Sequence, residues 1–186
     1  MLIWFVATAL AAMWFTFRDP AIDHRMIVLG ALAPDAVDLV VSVFRPGGTA
    51  AAAGALHTLA APVTLLAAVM LATVGRRHTR RRWLMLPIGI FWHLVFDGAW
   101  ASPALFGWPF GGTVDDSAGG GALYAAALPT AQRSLTLNLV LELAGVVVLA
   151  WLWRRWGLSD ARRRAVFRRS GRLDPDLPAL ARGRSR

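Results

Sequence analysis

Long apolar runs separated by short polar and charged clusters extend from residue 1 to residue 153. The runs cover residues 1–17, 26–44, 51–74, 83–100 and 135–153. Each is close to the ~17–25 residues that an α-helix needs to cross the hydrocarbon core of a bilayer. The pattern predicts an all-α fold. We expect an integral membrane bundle of about five transmembrane helices over residues 1–156.

The first run differs from a cleaved signal peptide in where its charges lie. No basic residue precedes it, whereas Arg18 and Arg25 follow it. A secretory signal has the opposite arrangement, with a basic segment before the apolar one. We therefore interpret this run as a retained helix.

Arginines predict the orientation of the bundle. Residues 76–82 carry five arginines, and the positive-inside rule places such a segment in the cytoplasm. Counting the helices from there gives an outer N-terminus and an inner C-terminus, with only Arg45 and Arg133 in the outer connections. The sequence thus predicts a multi-pass protein of the plasma membrane.

Two segments outside the runs have distinct compositions. Residues 101–133 are rich in Gly, Pro and aromatic side chains, and we expect them to form a cap at the outer face. Residues 157–186 form a predicted cytoplasmic tail rich in arginine. Such a tail binds anionic lipid headgroups at about 1 kcal/mol per basic residue. Nucleic acid is not the expected partner, because no stacking pattern or recognition fold accompanies the charge.

Composition agrees with a membrane protein. The chain has 186 residues, of which 56% are hydrophobic and 17% charged, and its formal charge is +9. Average soluble domains are about 45–50% apolar. There is no cysteine, which excludes disulfides, thiolate metal ligands and cysteine nucleophiles.

Six ionisable side chains lie inside the apolar runs, where a charge costs about 2.5–3.5 kcal/mol on insertion scales. At about 1.5 Å per residue, all six fall between the predicted midplane and the outer surface. Asp35 and Asp38 have i, i+3 spacing and His93 and Asp97 have i, i+4 spacing, so each pair shares one face of its helix. The six are Asp35, Asp38, His57, His93, Asp97 and Glu142.

Carboxylates and imidazoles that converge in a low dielectric predict a bound cation. Without sulfur ligands, the donor set suits Zn²⁺ first, with Mn²⁺ and Fe²⁺ as alternatives. Pro34 is expected to interrupt its helix and to aim the aspartate pair inward. The predicted ligands are Asp35, Asp38, His57, His93 and Asp97.

Each of these residues also has a structural interpretation. A single membrane histidine more often hydrogen-bonds between helices than binds metal, and Glu142 with Asn138 could join helices in the same way. Asp38 could form an acid–base couple with His93 without any metal. His24 and His78 lie in predicted cytoplasmic segments, on the wrong side for this cluster.

The same residues carry a resemblance to a family. Residues 30–38 (GALAPDAVD) resemble the Leu-Pro-Asp-x-Asp segment of the YdjM-like family of bacterial membrane-bound, metal-dependent hydrolases. Residues 56–58 resemble that family's Thr-His-Ser motif, and residues 93–97 its His-x-x-x-Asp motif. Ser102-Pro103 and Trp108-Pro109 resemble the elements that come next. The matching order covers about residues 28–110, with a layout like an actinobacterial branch.

The resemblance implies a metal-dependent hydrolase of the bacterial plasma (inner) membrane. The family has further histidines and an arginine where this chain has Leu39, Ala52 and Ala53, which leaves fewer ligands for a second metal. We therefore expect one divalent ion, with Asp38 or Glu142 as general base. A site near the outer leaflet favours a lipid or lipid-linked ester or phosphoester as substrate.

Two other functions fit the sequence. The buried carboxylates could relay protons or bind a cation in a transport protein, although no inverted repeat accompanies them. Alternatively, the chain is a non-enzymatic membrane module whose bundle a metal stabilises.

Overall fold

A computed structural model of the chain describes residues 1–44, 54–101, 103–110 and 134–173. Every regular element in these segments is helical, which confirms the all-α prediction. In chain order they are α1 (Leu2–Phe17), α2 (His24–Phe44), a 3₁₀ turn (Ala55–His57), α3 (Ala60–Ala72), α4 (Arg77–Trp83), α5 (Met85–Asp97), a second 3₁₀ turn (Ala99–Ala101), α6 (Pro103–Phe106), α7 (Leu135–Arg155) and α8 (Ala161–Ser170).

The third apolar run is not one continuous helix. A 3₁₀ turn over Ala55–His57 precedes α3, which begins only at Ala60. Pro62 explains the late start, because proline is tolerated in the first turn of a helix but breaks the hydrogen bonding in its interior. Residues 51–53 of the predicted helix lie outside the described residues. The break places His57 on a turn rather than on a long helix.

The fourth run is mostly one helix, α5, over Met85–Asp97. The arginine segment before it is also helical, since α4 covers Arg77–Trp83. Gly98 ends α5 with a left-handed conformation, φ 78°, which glycine adopts without the steric cost that other residues meet. The predicted continuation to residue 100 is replaced by the second 3₁₀ turn. Of the predicted outer cap, only α6 and the turn up to Phe110 are described, and Phe110 is fully exposed.

Within the described segments, one helix is long and apolar enough to cross a membrane. This is α7, and only 11% of its apolar stretch is buried inside the fold. The apolar helices α1 and α3 are shorter. Leu139, Leu143 and Val147 of α7 are among its exposed apolar side chains. An apolar helix with so little internal packing is unlike the buried core helix of a soluble protein.

The helices α2 and α5 cross in close contact at two glycines. A Cβ atom at Gly89 would lie 3.0 Å from the Cα atom of Gly30 and would collide with the Ile27 carbonyl. A Cβ at Gly30 would collide with the Leu86 carbonyl. Small residues at such a crossing let two backbones approach closely. This contact brings His93 of α5 within reach of the α2 backbone.

The first turn of α1 packs on α7. Glu142 Oε2 accepts hydrogen bonds from the backbone amides of Ile3, at 3.0 Å, and Trp4, at 3.2 Å. Gly145, one turn further along α7, makes room for the α1 backbone, since a Cβ there would lie 2.9 Å from the Trp4 nitrogen. Glu142 thus satisfies amides that a helix start leaves without intrahelical partners.

The predicted tail begins as a folded element that packs against the start of α2. Asp160 caps α8 by accepting from the Arg163 amide at 3.0 Å. At the other end, the Gly171 carbonyl accepts from the His24 backbone amide, at 2.9 Å, and from His24 Nδ1, at 3.1 Å. The His24 ring also contacts Trp156, with centroids 4.8 Å apart. Residues 174–186 lie outside the described residues.

Candidate metal centre

His93 is fully buried on α5, and its ring is held from both sides. Its Nδ1 lies 2.7 Å from the Ala31 carbonyl of α2. A carbonyl only accepts, so Nδ1 carries the proton of the neutral ring and Nε2 presents its lone pair. The Phe5 ring of α1 packs against the imidazole at a centroid distance of 4.1 Å. Three helices therefore fix the direction in which Nε2 points.

His57 is positioned by the 3₁₀ turn and is also buried, with 2% of its side chain exposed. Its Nδ1 lies 3.3 Å from Asp38 Oδ2. An ionised carboxylate can only accept, which places the proton of a neutral His57 on Nδ1. His57 Nε2 then faces His93 Nε2 across 3.3 Å.

Asp35 completes a triad with the two histidines. Its Oδ1 lies 3.6 Å from His93 Nε2 and 4.0 Å from His57 Nε2. It is the accessible member, with 31% of its side chain exposed. Asp35 follows Pro34 inside α2, which continues through this proline, so the predicted interruption of the helix is wrong. Proline cannot donate to the carbonyl four residues earlier, so α2 still lacks one hydrogen bond beside the site.

The three converging atoms fit a divalent cation. Two lone pairs that face each other across 3.3 Å, with both protons on the far nitrogens, are mutually repulsive until a positive charge lies between them. In tetrahedral zinc sites with bonds of about 2.0–2.2 Å, ligand atoms lie roughly 3.3–3.6 Å apart. The two nitrogens have that spacing. The Asp35 oxygen has it with respect to His93 Nε2, at 3.6 Å, but lies 4.0 Å from His57 Nε2, beyond that range. Among the described residues, these three side chains form the group that could hold a metal ion.

The other predicted ligands take different positions. Asp38 lies behind His57, and its second oxygen is buried without a hydrogen-bond partner among the described residues. It pairs with His57 rather than with His93, the partner considered from the sequence. Asp97 is buried one turn from His93 on α5 but is not a member of the triad.

Glu142 accepts two backbone hydrogen bonds at the start of α1. It therefore joins two helices, as the structural interpretation of this residue predicts. Its role as a general base stays a prediction. His24 and His78 lie away from the triad, against Gly171 and Arg172.

Sequence reasoning missed the groups that orient the triad. The Ala31 carbonyl could not be identified, because every residue carries a carbonyl and only the helix crossing selects this one. The glycines at the crossing did give a signal, as Gly30 and Gly89 each precede a site residue within an apolar helix. Reading them as a contact requires knowing that α2 and α5 are neighbours.

Comparisons with known proteins identify no relative of this chain. No family model, no curated protein and no solved structure matches this chain.

Proposed function

We propose that the chain is a membrane-bound, metal-dependent hydrolase with a single divalent ion held by Asp35, His57 and His93. The observation that carries this proposal is the pair of facing Nε2 atoms, 3.3 Å apart, whose far nitrogens lie against acceptors. A partner that fixes the far nitrogen is a common feature of histidine metal ligands. Zn²⁺ is the first choice of ion, with Mn²⁺ and Fe²⁺ as alternatives.

Three ligands with one accessible side favour catalysis over a purely structural metal. Structural zinc sites use four protein ligands, whereas catalytic ones have three and an open position. Here Asp35 is partly exposed while both histidines are buried. When bound, a divalent ion would supply Lewis-acid chemistry. Asp38 would hold the His57 ring and Ala31 the His93 ring.

A lipid or lipid-linked ester or phosphoester is the substrate class we propose. An apolar groove of about 420 Å³ lies beside the turn that carries His57, lined by Leu56, Ala61, Leu65 and Trp108 among others. Its walls suit a hydrocarbon chain better than a polar metabolite.

The proposed location is the bacterial plasma membrane, with five spans, an outer N-terminus and an inner C-terminus. The exposed apolar surface of α7 supports contact with lipid. The helix α2, which carries both aspartates, has 21 residues and is thus also about 30 Å long. We propose membership of the YdjM-like family on the order of the motifs between residues 30 and 109.

Metal content tests the centre directly. Full-length protein purified in detergent would be analysed by plasma mass spectrometry as wild type, His93→Ala and His78→Ala. We expect close to one equivalent of metal in the wild type, lost in His93→Ala and retained in His78→Ala, because His78 lies outside the triad. A wild type that holds no metal after reconstitution with Zn²⁺, Mn²⁺ and Fe²⁺ would refute the proposal.

Hydrolysis is tested separately, on the metal-loaded wild type. Lipid esters and phosphoesters would be screened for product release, with Asp35→Asn as the inactive comparison. Loss of product in that variant would support catalysis at the triad. Full metal occupancy with no product from any lipid ester would favour a metal that only stabilises the bundle, since the triad joins α2, α5 and the 3₁₀ turn.

A further inference from the structure

A second cavity lies at the other end of α2, between α8, the α1–α2 connection and α4. Its volume is about 620 Å³. The wall is apolar at Pro20, Val166 and Leu173. Its charged residues are the cationic Arg81 and Arg172 and one carboxylate, Asp19. A site with both kinds of surface suits an amphiphilic anion better than a small hydrophilic one.

Arg172 has no carboxylate partner in the described segments. Its Nη2 donates to His78 Nε2 at 2.8 Å, a neutral acceptor when His78 is unprotonated, and its Nε is buried without a hydrogen-bond partner there. By contrast, Arg81 is paired with Asp19. Within the described segments, Arg172 therefore contributes a guanidinium group to the cavity wall that no ion pair holds.

The surroundings add further positive charge. Arg25 and Arg82 share one carboxylate, Asp23, at 3.1 Å and 3.2 Å. In this network of described side chains, the guanidinium groups of Arg25, Arg82, Arg81 and Arg172 thus outnumber the carboxylates of Asp19 and Asp23. Guanidinium groups bind phosphate oxygens through paired, charge-assisted hydrogen bonds.

We infer that this cavity binds the phosphate group of an anionic amphiphile through Arg172, with the glycerol or acyl portion against Pro20, Val166 and Leu173. The positive-inside rule puts this end in the cytoplasmic leaflet, where anionic phospholipids attract basic segments. The site is distinct from the metal triad. His24, which contacts the α8 segment, precedes Asp35 by eleven residues, or about 16 Å along the helix.

Native mass spectrometry of the full chain in detergent tests this site. Phosphatidylglycerol and phosphatidylcholine would be added in turn to the wild type, Arg172→Gln and Arg162→Gln. The last variant loses the same charge from an exposed position on α8. We expect phosphatidylglycerol to bind preferentially, with an affinity about tenfold lower in Arg172→Gln, as for loss of one charged hydrogen bond. Arg162→Gln should stay within about twofold of the wild type, since an exposed charge contributes little.

Two results would overturn the inference. One is an equal loss in Arg172→Gln and Arg162→Gln, which would mean that charge acts without a defined site. The other is equal binding of the two lipids by the wild type. If Arg172→Gln does not fold, Arg172→Lys keeps the charge and loses the planar fork, and it should still weaken binding relative to Arg162→Lys.

Inorganic phosphate distinguishes the two sources of the anion. Displacement of phosphatidylglycerol by millimolar phosphate, dependent on Arg172, would support recognition of the phosphate group itself. Binding of the lipid without competition from phosphate would support recognition of the headgroup together with its apolar portion.

Discussion

At the scale of single residues, the triad depends on groups that do not themselves face the space between its three converging atoms. Asp38 and the Ala31 carbonyl lie against the far nitrogens of His57 and His93. They determine which ring nitrogen carries the proton and in which direction the other one points. Their loss should therefore weaken the site even though all three triad residues remain.

Asp38→Asn tests this dependence. The amide keeps an oxygen near His57 Nδ1 but loses the negative charge that favours the required tautomer. We expect the affinity for Zn²⁺ to fall about 10–100-fold, the usual cost of removing a partner behind a metal ligand. Competition with a coloured chelator would measure it.

Asp160→Asn is the matched control, because Asp160 caps α8 far from the triad and asparagine is an equally good cap. An unchanged affinity in Asp38→Asn, or an equal loss in Asp160→Asn, would contradict the role assigned to Asp38.

The sequence predicted which side chains cluster better than which atoms they contact. The high free-energy cost of a charged group inside an apolar run correctly identified Asp35, His57 and His93 as members of one cluster. The same reasoning could not separate Asp38, because i, i+3 spacing puts it on the same helix face as Asp35 without fixing which atom it meets. It also could not predict that Glu142 contacts the backbone of α1, since every residue has a backbone amide and the pattern of side chains does not distinguish one from another.

At the scale of elements, the contact between α8 and α2 depends on a buried histidine. Burial lowers the pKa of His24 below its usual value, more than the Gly171 carbonyl raises it. The negative charge of Asp23 beside it also raises the pKa, but by less than burial lowers it. Trp156 and Phe167 pack against the ring. The docked helix thus favours the neutral imidazole. Once α8 detaches, His24 regains an ordinary pKa of about 6.5 and binds a proton more readily.

Acidification should therefore loosen α8. Because the folded pKa is depressed, the stabilisation is complete above about pH 6.5 and is lost as the pH falls towards the folded pKa, by at most about 1.4 kcal/mol per pH unit. Hydrogen–deuterium exchange of residues 161–173, corrected for intrinsic rates, should rise between pH 7.5 and pH 5.5.

His24→Asn supplies the control. Its amide can donate from the place of Nδ1 but does not titrate, so the pH dependence should disappear. His78→Asn, at an exposed residue that contacts Arg172, should retain the pH dependence. A rise in exchange that is the same in His24→Asn would refute the assignment to His24.

At the scale of the whole molecule, each of the five apolar runs contains a helix. These helices differ in length, whereas the sequence predicts five membrane spans of similar length. Hydropathy predicted where the helices lie because lipid and protein interiors select the same apolar residues. It could not predict the division at Pro62 or the stop at Gly98, where single residues act through backbone geometry. It also could not show that the tail begins as a docked helix, since the hydrogen bonds from His24 go to the Gly171 backbone, which a pattern of side chains does not reveal.

The absence of cysteine makes the proposed orientation simple to test. Single cysteines would be introduced as Ser117→Cys, in the predicted outer segment, and as Ser159→Cys, between α7 and α8. With a maleimide that does not cross membranes, we expect labelling of intact cells at position 117 only, and at position 159 after lysis.

Thr79→Cys provides an independent inner position, which should also be protected until lysis. Labelling of position 159 or 79 in intact cells would contradict the outer N-terminus and inner C-terminus. Labelling of all three positions would contradict a membrane-spanning bundle.

The close crossing of α2 and α5 also provides a way to recognise distant relatives. Neither Gly30 nor Gly89 can accept a methyl group without displacing a neighbouring backbone. A chain that builds the same centre on the same crossing therefore needs glycine five residues before its aspartate ligand and glycine four residues before its histidine ligand. These spacings form a search pattern that does not depend on the proposed function, and it would separate sequences that share the architecture from those that share only an aspartate and two histidines.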